Sequence, residues 1–400
     1  MKKFTVEKIG SLGERIATWE LGSHAPISSP GLWLTTSICG VPNLTPETIE
    51  MCGVVNHQKF SGILISYEKQ SRSIDIFENY QKGFLSFCGL PSLPTLLTVM
   101  DPMLKMRPGF NTAKHISVWG ECNQREKVDL EHYIRGVKAI DPDAFVSLCD
   151  SELSSNKRTE KALKFNHDNL SSLLTTFKDN KAVISALEGG YDKNVREKEA
   201  KYLGNLPCNG FLFDGFHENG ETALEMKAER VKEILQENTI PHLRSDQPRF
   251  FFGMCDPKCI LQMIKLGVDY FETSYVYYMT EKGHALTFPN SIGDERQKVS
   301  EDLPKEETSK PKICHAFSID LNDEVYKNDF SPLVQGCTCY ACRKHTRGYV
   351  NHLLATRELL GTVLLTIHNL HHYSEFFQGI RDAIHNDQLQ TLENAIFSKI

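Results

Sequence analysis

The sequence predicts an α/β fold, a (β/α)8 TIM barrel that carries a zinc-binding subdomain. Short apolar runs alternate with helical patterns, and roughly eight such units in about 270 residues fit a barrel better than an open sheet. A second observation is the segment CTCYAC, residues 337–342, which crowds three cysteines together. The sequence therefore predicts two features, a barrel and a metal site.

Apolar runs of strand length recur along the first 274 residues. Such runs are typical of parallel strands that helices bury on both faces. The candidates are LWLTTS (32–37), GILIS (62–66), LLTVM (96–100), ISVWG (116–120), FVSLCD (145–150), AVISALEGG (182–190), GFLFDGF (210–216), FFFGM (250–254) and DYFETS (269–274).

Helical patterns lie between these runs. TPETIEMCGVVNHQK opens with Thr45, Pro46 and Glu47, which favours a helix start. ETALEMKAERVKEILQEN (221–238) and DPKCILQMIKLG (256–267) repeat apolar residues at i, i+3 and i+4 spacing. The alternation predicts helices that cover the outside of a parallel sheet.

A charged segment interrupts this rhythm. Residues 293–311, GDERQKVSEDLPKEETSKP, contain two prolines and almost no apolar residues, which predicts a flexible, solvated insertion. The predicted organisation is the main part of the barrel over 1–292, this insertion, and a zinc-binding subdomain with closing helices over 312–400.

Composition limits the classes of partner. The net charge is −6, whereas a protein that grips nucleic acid unaided usually has a broad cationic surface. Any RNA contact is therefore expected to be local, or shared with a more basic partner. The sequence has no apolar run of membrane-spanning length and no secretory signal, so we expect a reducing cytosol in which thiols stay free or bind metal.

The three crowded cysteines predict a metal site that needs a fourth ligand. Zinc takes four thiolate or imidazole donors in a tetrahedron, and Cys337, Cys339 and Cys342 supply three of them. His345 is too close to fold back onto the same ion. His368 follows Cys342 after 25 intervening residues, enough for a helix to run out and return.

The sequence around His368 and two other interpretations complete this prediction. LTIHNLHHY places His368 on one helical face with His371 and His372. With four protein ligands the zinc is expected to be structural, one ion per chain. A redox pair between Cys339 and Cys342 and an iron–sulfur cluster held by the three cysteines are the alternatives.

The pattern C-x-C-x2-C-x25-H, in GCTCYACRKHTRGYVNHLLATRELLGTVLLTIHNL, resembles the zinc motif of tRNA-guanine transglycosylases. GMCDPKCILQMIKLGVDYFE (253–272) and ALEGGYDKNVREKEA (186–200) are also similar to segments of that family. The resemblance covers most of residues 30–390 and implies a (β/α)8 barrel with a zinc subdomain. It implies an exchange of guanine for queuine, or a precursor, at the wobble position of tRNAs with GUN anticodons, those for aspartate, asparagine, histidine and tyrosine.

Such a reaction needs carboxylates at the carboxyl ends of barrel strands, one to attack ribose C1′ and one to handle a proton. The candidates by position are Asp101, Asp150, Glu188, Asp214 and Glu272.

Several of these positions depart from the family pattern. Glu272, in FETSYVYY, stands where the family has its nucleophilic aspartate, and the extra methylene removes the attack geometry. Asp101 aligns with the second catalytic aspartate only by a shift. Glu188 replaces a glutamine, and Asp214-Gly215 replaces a glycine pair beside the base pocket. Asp150 alone matches the family's base-recognising aspartate, so we predict degenerate catalytic positions at Glu272 and Asp101 and a substrate-binding role for Asp150.

A zinc motif with a degenerate reaction centre is similar to the non-catalytic accessory subunit of the eukaryotic transglycosylase. That similarity implies a heterodimer with a catalytic paralogue, dimer contacts from the zinc subdomain, and tRNA bound within the complex. It also implies a cytoplasmic protein that associates peripherally with the cytoplasmic side of the mitochondrial outer membrane. Self-association into a homodimer without the partner is left open.

Two alternatives remain at this point: an active transglycosylase that uses Glu272 as nucleophile, and a zinc-containing adaptor without a tRNA role.

Overall fold

A computed structural model describes residues 2–52, 59–107, 109–120, 124–151, 156–293 and 317–397. The chain forms two compact units, Met1–Gly40 with Ser61–Ser274 and Val41–Phe60 with Tyr275–Ile400, which we call the barrel unit and the cysteine unit. The predicted insertion lies outside the described residues except for Gly293. The predicted boundaries at 292 and 312 therefore stay a prediction.

The barrel unit is built on eight parallel strands that close into a barrel, which confirms the predicted fold class. Each strand pairs with the next barrel strand along the chain, and the last pairs with the first. Every residue of these strands is buried, which explains their near-continuous apolar character. The strands are β4 (Gly31–Thr35), β5 (Gly62–Ser66), β6 (Thr95–Thr98), β9 (Ala144–Val146), β10 (Ala182–Leu187), β11 (Gly210–Phe213), β12 (Arg249–Phe250) and β13 (Tyr270–Glu272).

The position predicted for one strand candidate was wrong: this strand is not part of the barrel. ISVWG forms β7 (Ile116–Trp119), which pairs antiparallel with β8 (Arg125–Val128) in a separate two-stranded sheet. Arg125 and Lys127 of its partner strand are exposed, so this pair has one wet face. A strand of the barrel wall has both faces buried and could not pair with such a sequence.

A three-stranded antiparallel sheet, β1 (Lys2–Ile9), β2 (Arg15–Leu21) and β3 (Ile27–Ser29), covers the amino-terminal end of the barrel. Arg15 of β2 pairs with the buried Asp269, the residue directly before β13. Trp19 packs edge-on against Trp33 and Phe250 of the barrel interior. Because this sheet closes the amino-terminal end, the carboxyl ends of the strands remain for a functional site.

Helices surround the barrel, and their ends follow local capping chemistry. The side chain of Asp256 accepts a hydrogen bond from the Cys259 amide, which starts the predicted helix at Pro257. The helices of this unit are α2 (Tyr67–Gln70), α3 (Ile74–Tyr80), α4 (Gly83–Cys88), α5 (Leu130–Ile140), α6 (Asn156–Thr176), α7 (Lys193–Gly204), α8 (Ala228–Ile234) and α9 (Pro257–Lys265).

The cysteine unit is organised around one long helix, α13 (Leu359–His385), whose residues are buried through most of its length. A two-stranded antiparallel sheet, β14 (His284–Leu286) with β15 (Ser318–Asp320), belongs to the same unit. The remaining helices are α1 (Pro46–Met51), α10 (Ser274–Glu281, from its second residue), α11 (Tyr340–Lys344), α12 (Arg347–Ala355) and α14 (Leu389–Phe397). The predicted helix over 45–59 begins as expected with a Thr45 capping box, and its stretch 53–58 lies outside the described residues.

Candidate metal centre and barrel mouth

The structure brings the four predicted metal ligands together in the cysteine unit. The three sulfurs and one imidazole nitrogen of Cys337, Cys339, Cys342 and His368 all lie within 4.8 Å of one another, and all four residues are buried. The His368 Nδ1 atom is 3.9 Å from Cys337 Sγ, 3.6 Å from Cys339 Sγ and 3.3 Å from Cys342 Sγ. Bond lengths for zinc imply an N···S separation of about 3.5 Å in a tetrahedral site, so the donor set fits zinc.

Local backbone structure positions the sulfurs. Gly336 has a φ of 76°, a left-handed conformation that glycine adopts easily, and it turns the chain into the cluster. Cys339 caps helix α11, and its sulfur accepts a hydrogen bond from the Cys342 amide at 3.3 Å. The pattern C-x-C-x2-C thus places two sulfurs on a loop and the third on the first turn of a helix.

The imidazole of His368 is oriented for metal binding. Its Nε2 atom lies 2.9 Å from the carbonyl oxygen of Leu286, so Nε2 donates, and Nδ1 on the sulfur side is the atom that would bind a metal after losing its proton. Asn369 accepts a hydrogen bond from the Leu286 amide at 2.8 Å. Two successive residues of α13 therefore hold both backbone groups of one strand residue, which fixes the ring and its tautomer.

The protonation states of the four groups in the cluster depend on one another. Hydrogen bonds from Cys339 and Cys342 lower the pKa of the Cys337 thiol, whereas the interaction with Cys337 raises the pKa of Cys342 to about 12. Burial alone would lower the pKa of His368, but hydrogen bonds with Cys337 and Cys339 outweigh it and raise this pKa to about 10. Without a cation the four groups therefore share protons, and a divalent ion would let all three thiolates form.

The other histidines of the predicted region lie outside this donor set. His371 Nε2 is 3.3 Å from the Thr338 hydroxyl, and His345 stacks on Tyr349. His372 is buried against the ring of Phe288. The structure therefore brings together the predicted four ligands from the residues that it describes, and no further histidine joins them.

Glu272, at the predicted nucleophile position, is buried and saturated with hydrogen bonds. Its Oε2 accepts from the Thr35 hydroxyl and the Ser274 amide, each at 2.6 Å. Its Oε1 accepts from the Gly253 amide at 3.1 Å and the Ser274 hydroxyl at 2.5 Å. Burial raises the pKa of Glu272 to about 7, against the opposing effect of these hydrogen bonds. Neither oxygen is presented as a free nucleophile.

Asp101 lies just beyond β6 and is fully buried. Its Oδ1 accepts a hydrogen bond from the Met103 amide at 2.9 Å, and Lys69 Nζ is 3.9 Å from Oδ2. Burial raises the pKa of Asp101 to about 6. The carboxyl group therefore organises the turn that follows β6.

Asp150 follows β9 and is almost completely buried. Its Oδ1 accepts from the Asn111 side-chain amide at 2.9 Å, and its Oδ2 pairs with Arg158. Both carboxylate oxygens are thus engaged by the chain itself. A bound base would have to use the acceptor capacity that these two partners leave on the carboxylate.

Glu188 and Asp214 converge with Cys149 at the ends of β9, β10 and β11, with their donor atoms within 4.8 Å. Burial, and then the nearby Asp214, raise the pKa of Glu188 well above its usual range. The guanidinium of Arg196 donates to the carbonyl oxygens of Leu187, Gly190 and Asp214 beside them. A glycine is required at 215 because a Cβ there would lie 2.4 Å from a Glu188 oxygen.

Sequence reasoning missed the residues that sequester these carboxylates. Thr35 and Ser274 saturate Glu272, and Arg158 neutralises Asp150. Arg196 lies in the segment ALEGGYDKNVREKEA (186–200), eight residues after Glu188. This short separation could have indicated that the arginine lies near the glutamate. A threonine and a serine carry no such signal because they are common in every strand and turn.

The carboxyl end of the barrel retains a cavity of about 730 Å³. Cys149, Gly190, Tyr191 and Gly215 line it from the strand ends, and Lys105 and Arg107 line it from the segment after β6. The cavity is large enough for a nucleotide-sized group.

A closed (β/α)8 barrel together with a buried Cys3His donor set defines a class: barrel proteins whose separate unit carries a tetrahedral metal site. Comparison with known proteins narrows that class. The family sequence model described as Queuine tRNA-ribosyltransferase matches residues 11–400, so the chain belongs to the queuine tRNA-ribosyltransferase family.

Relatives of nearly the same length share about a third of their residues with this chain. A protein of Ixodes scapularis is 32% identical over 384 residues, covering 94% of this chain and 93% of its own. A Gallus gallus protein is 32% identical over 421 residues, covering 98% and 96%, and a Homo sapiens protein is 32% identical over 413 residues, covering 97% and 95%. All three are named queuine tRNA-ribosyltransferase accessory subunit 2. The family resemblance read from the zinc motif is confirmed.

Membrane insertion was not predicted. Among the described helices, even the long α13 lacks the hydropathy that crossing a bilayer requires.

Proposed function

We propose that this chain is the non-catalytic accessory subunit of a heterodimeric tRNA-guanine transglycosylase. Its catalytic paralogue would exchange guanine for queuine at the wobble position of tRNAs with GUN anticodons, and this chain would support dimer formation and tRNA binding. The observation that carries the proposal is the state of Glu272, whose two oxygens accept four hydrogen bonds from Thr35, Gly253 and Ser274.

Chemistry explains why this observation favours an inactive barrel. A carboxylate that attacks ribose C1′ must aim a lone pair of an exposed oxygen at the substrate. Glu272 is 2% exposed, and its hydrogen bonds would have to break before it could attack. Asp150 is engaged less completely, with Asn111 on one oxygen and Arg158 on the other. Base binding by Asp150 would use the acceptor capacity that these partners leave, and we propose it only as a substrate-binding position.

The metal in this proposal is one structural zinc per chain, held by Cys337, Cys339, Cys342 and His368. The ion would supply a rigid junction between the α11 loop and α13, with all four positions filled by protein donors and none left for substrate. We propose that this junction supports the contact with the catalytic paralogue. We also propose a cytoplasmic location, with peripheral association at the outer mitochondrial membrane, and a homodimer as the state of the chain without its partner.

The test combines covalent trapping with base exchange. The full chain is incubated with a GUN-anticodon tRNA and a base analogue, and the products are separated on denaturing gels. We expect no protein–tRNA adduct from this chain alone, and exchange of labelled guanine only when the catalytic paralogue is added. The complex with Glu272→Gln should exchange base at the rate of the complex with the unmodified chain, because this glutamate does not attack.

Two results would contradict the proposal. An adduct that disappears in Glu272→Gln would make the chain an active transglycosylase. Base exchange by the paralogue at the same rate with and without this chain would make it a zinc-containing adaptor without a tRNA role.

A further inference from the structure

The barrel unit carries an alternating row of arginine and aromatic side chains beside the hairpin β7–β8. The guanidinium carbon of Arg125 lies 4.7 Å from the ring centre of Phe110, and that of Arg107 lies 5.5 Å from the ring centre of Trp119. Trp119 and Arg125 are paired directly across the hairpin, so their side chains share one face. We call Arg107, Phe110, Trp119 and Arg125 the stacking row.

The row lies on the more exposed face of the hairpin, where Trp119 is half-buried and Arg125 is exposed. Ile116, Val118 and Val128 are buried on the opposite face of the same strands. Arg125 and Lys127 are exposed on the face of the row, and Phe110 is 66% exposed. A phenylalanine ring this exposed contributes little to the core, so the packing of the barrel does not account for it.

The row lies in a segment of the sequence, residues 105–127, that is cationic although the whole chain is acidic, and we call the lysines and arginines of this segment the patch. Lys105 of the patch is paired with Glu218 at 3.4 Å. Between positions 105 and 127 the sequence has five lysines and arginines against two glutamates, whereas the whole chain has a net charge of −6. Lys105 and Arg107 also line the cavity at the carboxyl end of the barrel. The patch therefore borders the cavity rather than lying on an unrelated face of the unit.

We propose that the stacking row binds unpaired RNA bases, while Lys114 and Lys127 contact the flanking phosphates. Unpaired bases expose flat π faces, and both aromatic rings and guanidinium planes stack on them. An RNA duplex hides those faces, so a single-stranded loop is the RNA form that the row fits. This inference rests on the proposed function, because it names the surface with which the subunit would hold the tRNA.

The direct test is equilibrium binding of the full chain to two fluorescent RNAs, an anticodon stem-loop with a GUN triplet and a fully paired duplex of the same length. We expect the stem-loop to bind more tightly than the duplex. Phe110→Ala should weaken stem-loop binding by about 5- to 160-fold, the range that corresponds to loss of one base–aromatic stack. Phe110→Tyr should restore it. The matched control is Phe330→Ala, because Phe330 is 79% exposed in the cysteine unit.

Salt dependence separates stacking from phosphate binding. Lys127→Ala should reduce the slope of log affinity against log salt by about 0.7, the value for one phosphate contact with a single strand. Phe110→Ala should leave that slope unchanged. Lys198→Ala, an exposed lysine on α7, serves as the charge control and should change neither quantity.

Three outcomes would overturn the inference: equal binding of stem-loop and duplex, wild-type affinity in Phe110→Ala, or loss of binding to phosphatidylserine vesicles but not to RNA in the variants. The last would assign the patch to an anionic lipid surface. Failure of the proposed function looks different. In that case the unmodified chain adds nothing to base exchange by the paralogue, whatever the variants do to RNA binding.

Discussion

The cysteine cluster and the barrel mouth treat their polar groups in opposite ways. Cys337, Cys339 and Cys342 direct three sulfurs at one imidazole nitrogen, leaving a space that a cation would complete. At the barrel mouth, Glu272 and Asp150 are equally buried, but hydrogen bonds and an ion pair from the chain itself already satisfy their oxygens. The cysteine cluster leaves room for a ligand, whereas the two oxygens of Glu272 have no acceptor capacity left.

This difference shows which property distinguishes a carboxylate that the chain has already satisfied from a group that is open to a ligand. Carboxylates at the carboxyl ends of barrel strands are the usual sign of an active site. Here they are present, but Thr35 and Ser274 use both oxygens of Glu272 for internal hydrogen bonds. Residue type and position are therefore insufficient criteria, and the hydrogen-bond capacity that remains at the acceptor atoms decides.

The largest expected effect comes from breaking the cysteine cluster. Cys339→Ala should lower the metal content by about one zinc per chain and unfold the cysteine unit, since structural zinc contributes roughly 10–16 kcal/mol of apparent binding free energy. Metal analysis of the purified protein and proteolysis of α13 measure the two effects.

Two matched variants control for the loss of a buried thiol or imidazole. Cys52→Ala removes a buried cysteine of the same unit that is not among the four donors, and His371→Ala removes a neighbouring histidine of α13. Both should keep about one zinc per chain. Unchanged metal content in Cys339→Ala would contradict the assignment of the cysteine cluster as a metal site.

A second prediction concerns the charge state of Asp101. Its pKa is about 6 in the folded protein against an ordinary value of 3.8, so its stabilising contribution is complete below pH 3.8 and is lost as the pH rises to 6. The free energy of unfolding relative to Asp101→Asn should therefore fall by about 3 kcal/mol across this range. Urea unfolding followed by tryptophan fluorescence reports on the barrel unit, because Trp19, Trp33 and Trp119 all lie in it.

The asparagine variant is the control for this titration. It keeps an acceptor for the Met103 amide, and its side chain has no proton to lose in this pH range. If the free energies of unfolding of the two proteins differ by the same amount from pH 4.5 to 7, the Asp101 carboxyl is exposed to solvent and accessible to substrate.

The smallest effect sharpens the comparison at Glu272. In Glu272→Gln the new amide group must face a backbone N–H, of Gly253 in one orientation and of Ser274 in the other. Leaving such a donor unsatisfied should lower the free energy of unfolding by about 1–3 kcal/mol. Glu225→Gln, an exposed substitution in the same unit, should change it by less than about 0.5 kcal/mol. A Glu272→Gln protein of unchanged stability would indicate that these hydrogen bonds do not hold the carboxylate.

Sequence reasoning reached the barrel and the Cys3His cluster because both are periodic or closely spaced signals. Apolar runs identified all eight barrel strands, and the spacing of the cysteines with His368 identified the cluster. It misplaced ISVWG because a short apolar run looks the same in a barrel wall and in a hairpin with one wet face.

The sequestered carboxylates and the stacking row could not be predicted. Thr35 and Glu272 are separated by 237 positions, and Arg107 meets Trp119 only after the hairpin folds. Contacts of this kind depend on tertiary pairing, for which the sequence has no local sign. The sequence did indicate that the reaction centre departs from the family pattern, because Glu272 stands where the family has an aspartate.

The hydrogen bond from His368 to the Leu286 carbonyl has a kinetic consequence. An imidazole held on its far side by a strand cannot swing away from an ion, and the sulfurs that complete the cluster are walled in as well. Release of the ion must then wait until α13 separates locally from the β14–β15 sheet. Exchange with a chelator should proceed at the rate of that opening, independent of chelator concentration, so the metal would be a permanent constituent of the subunit rather than a sensor of cellular zinc.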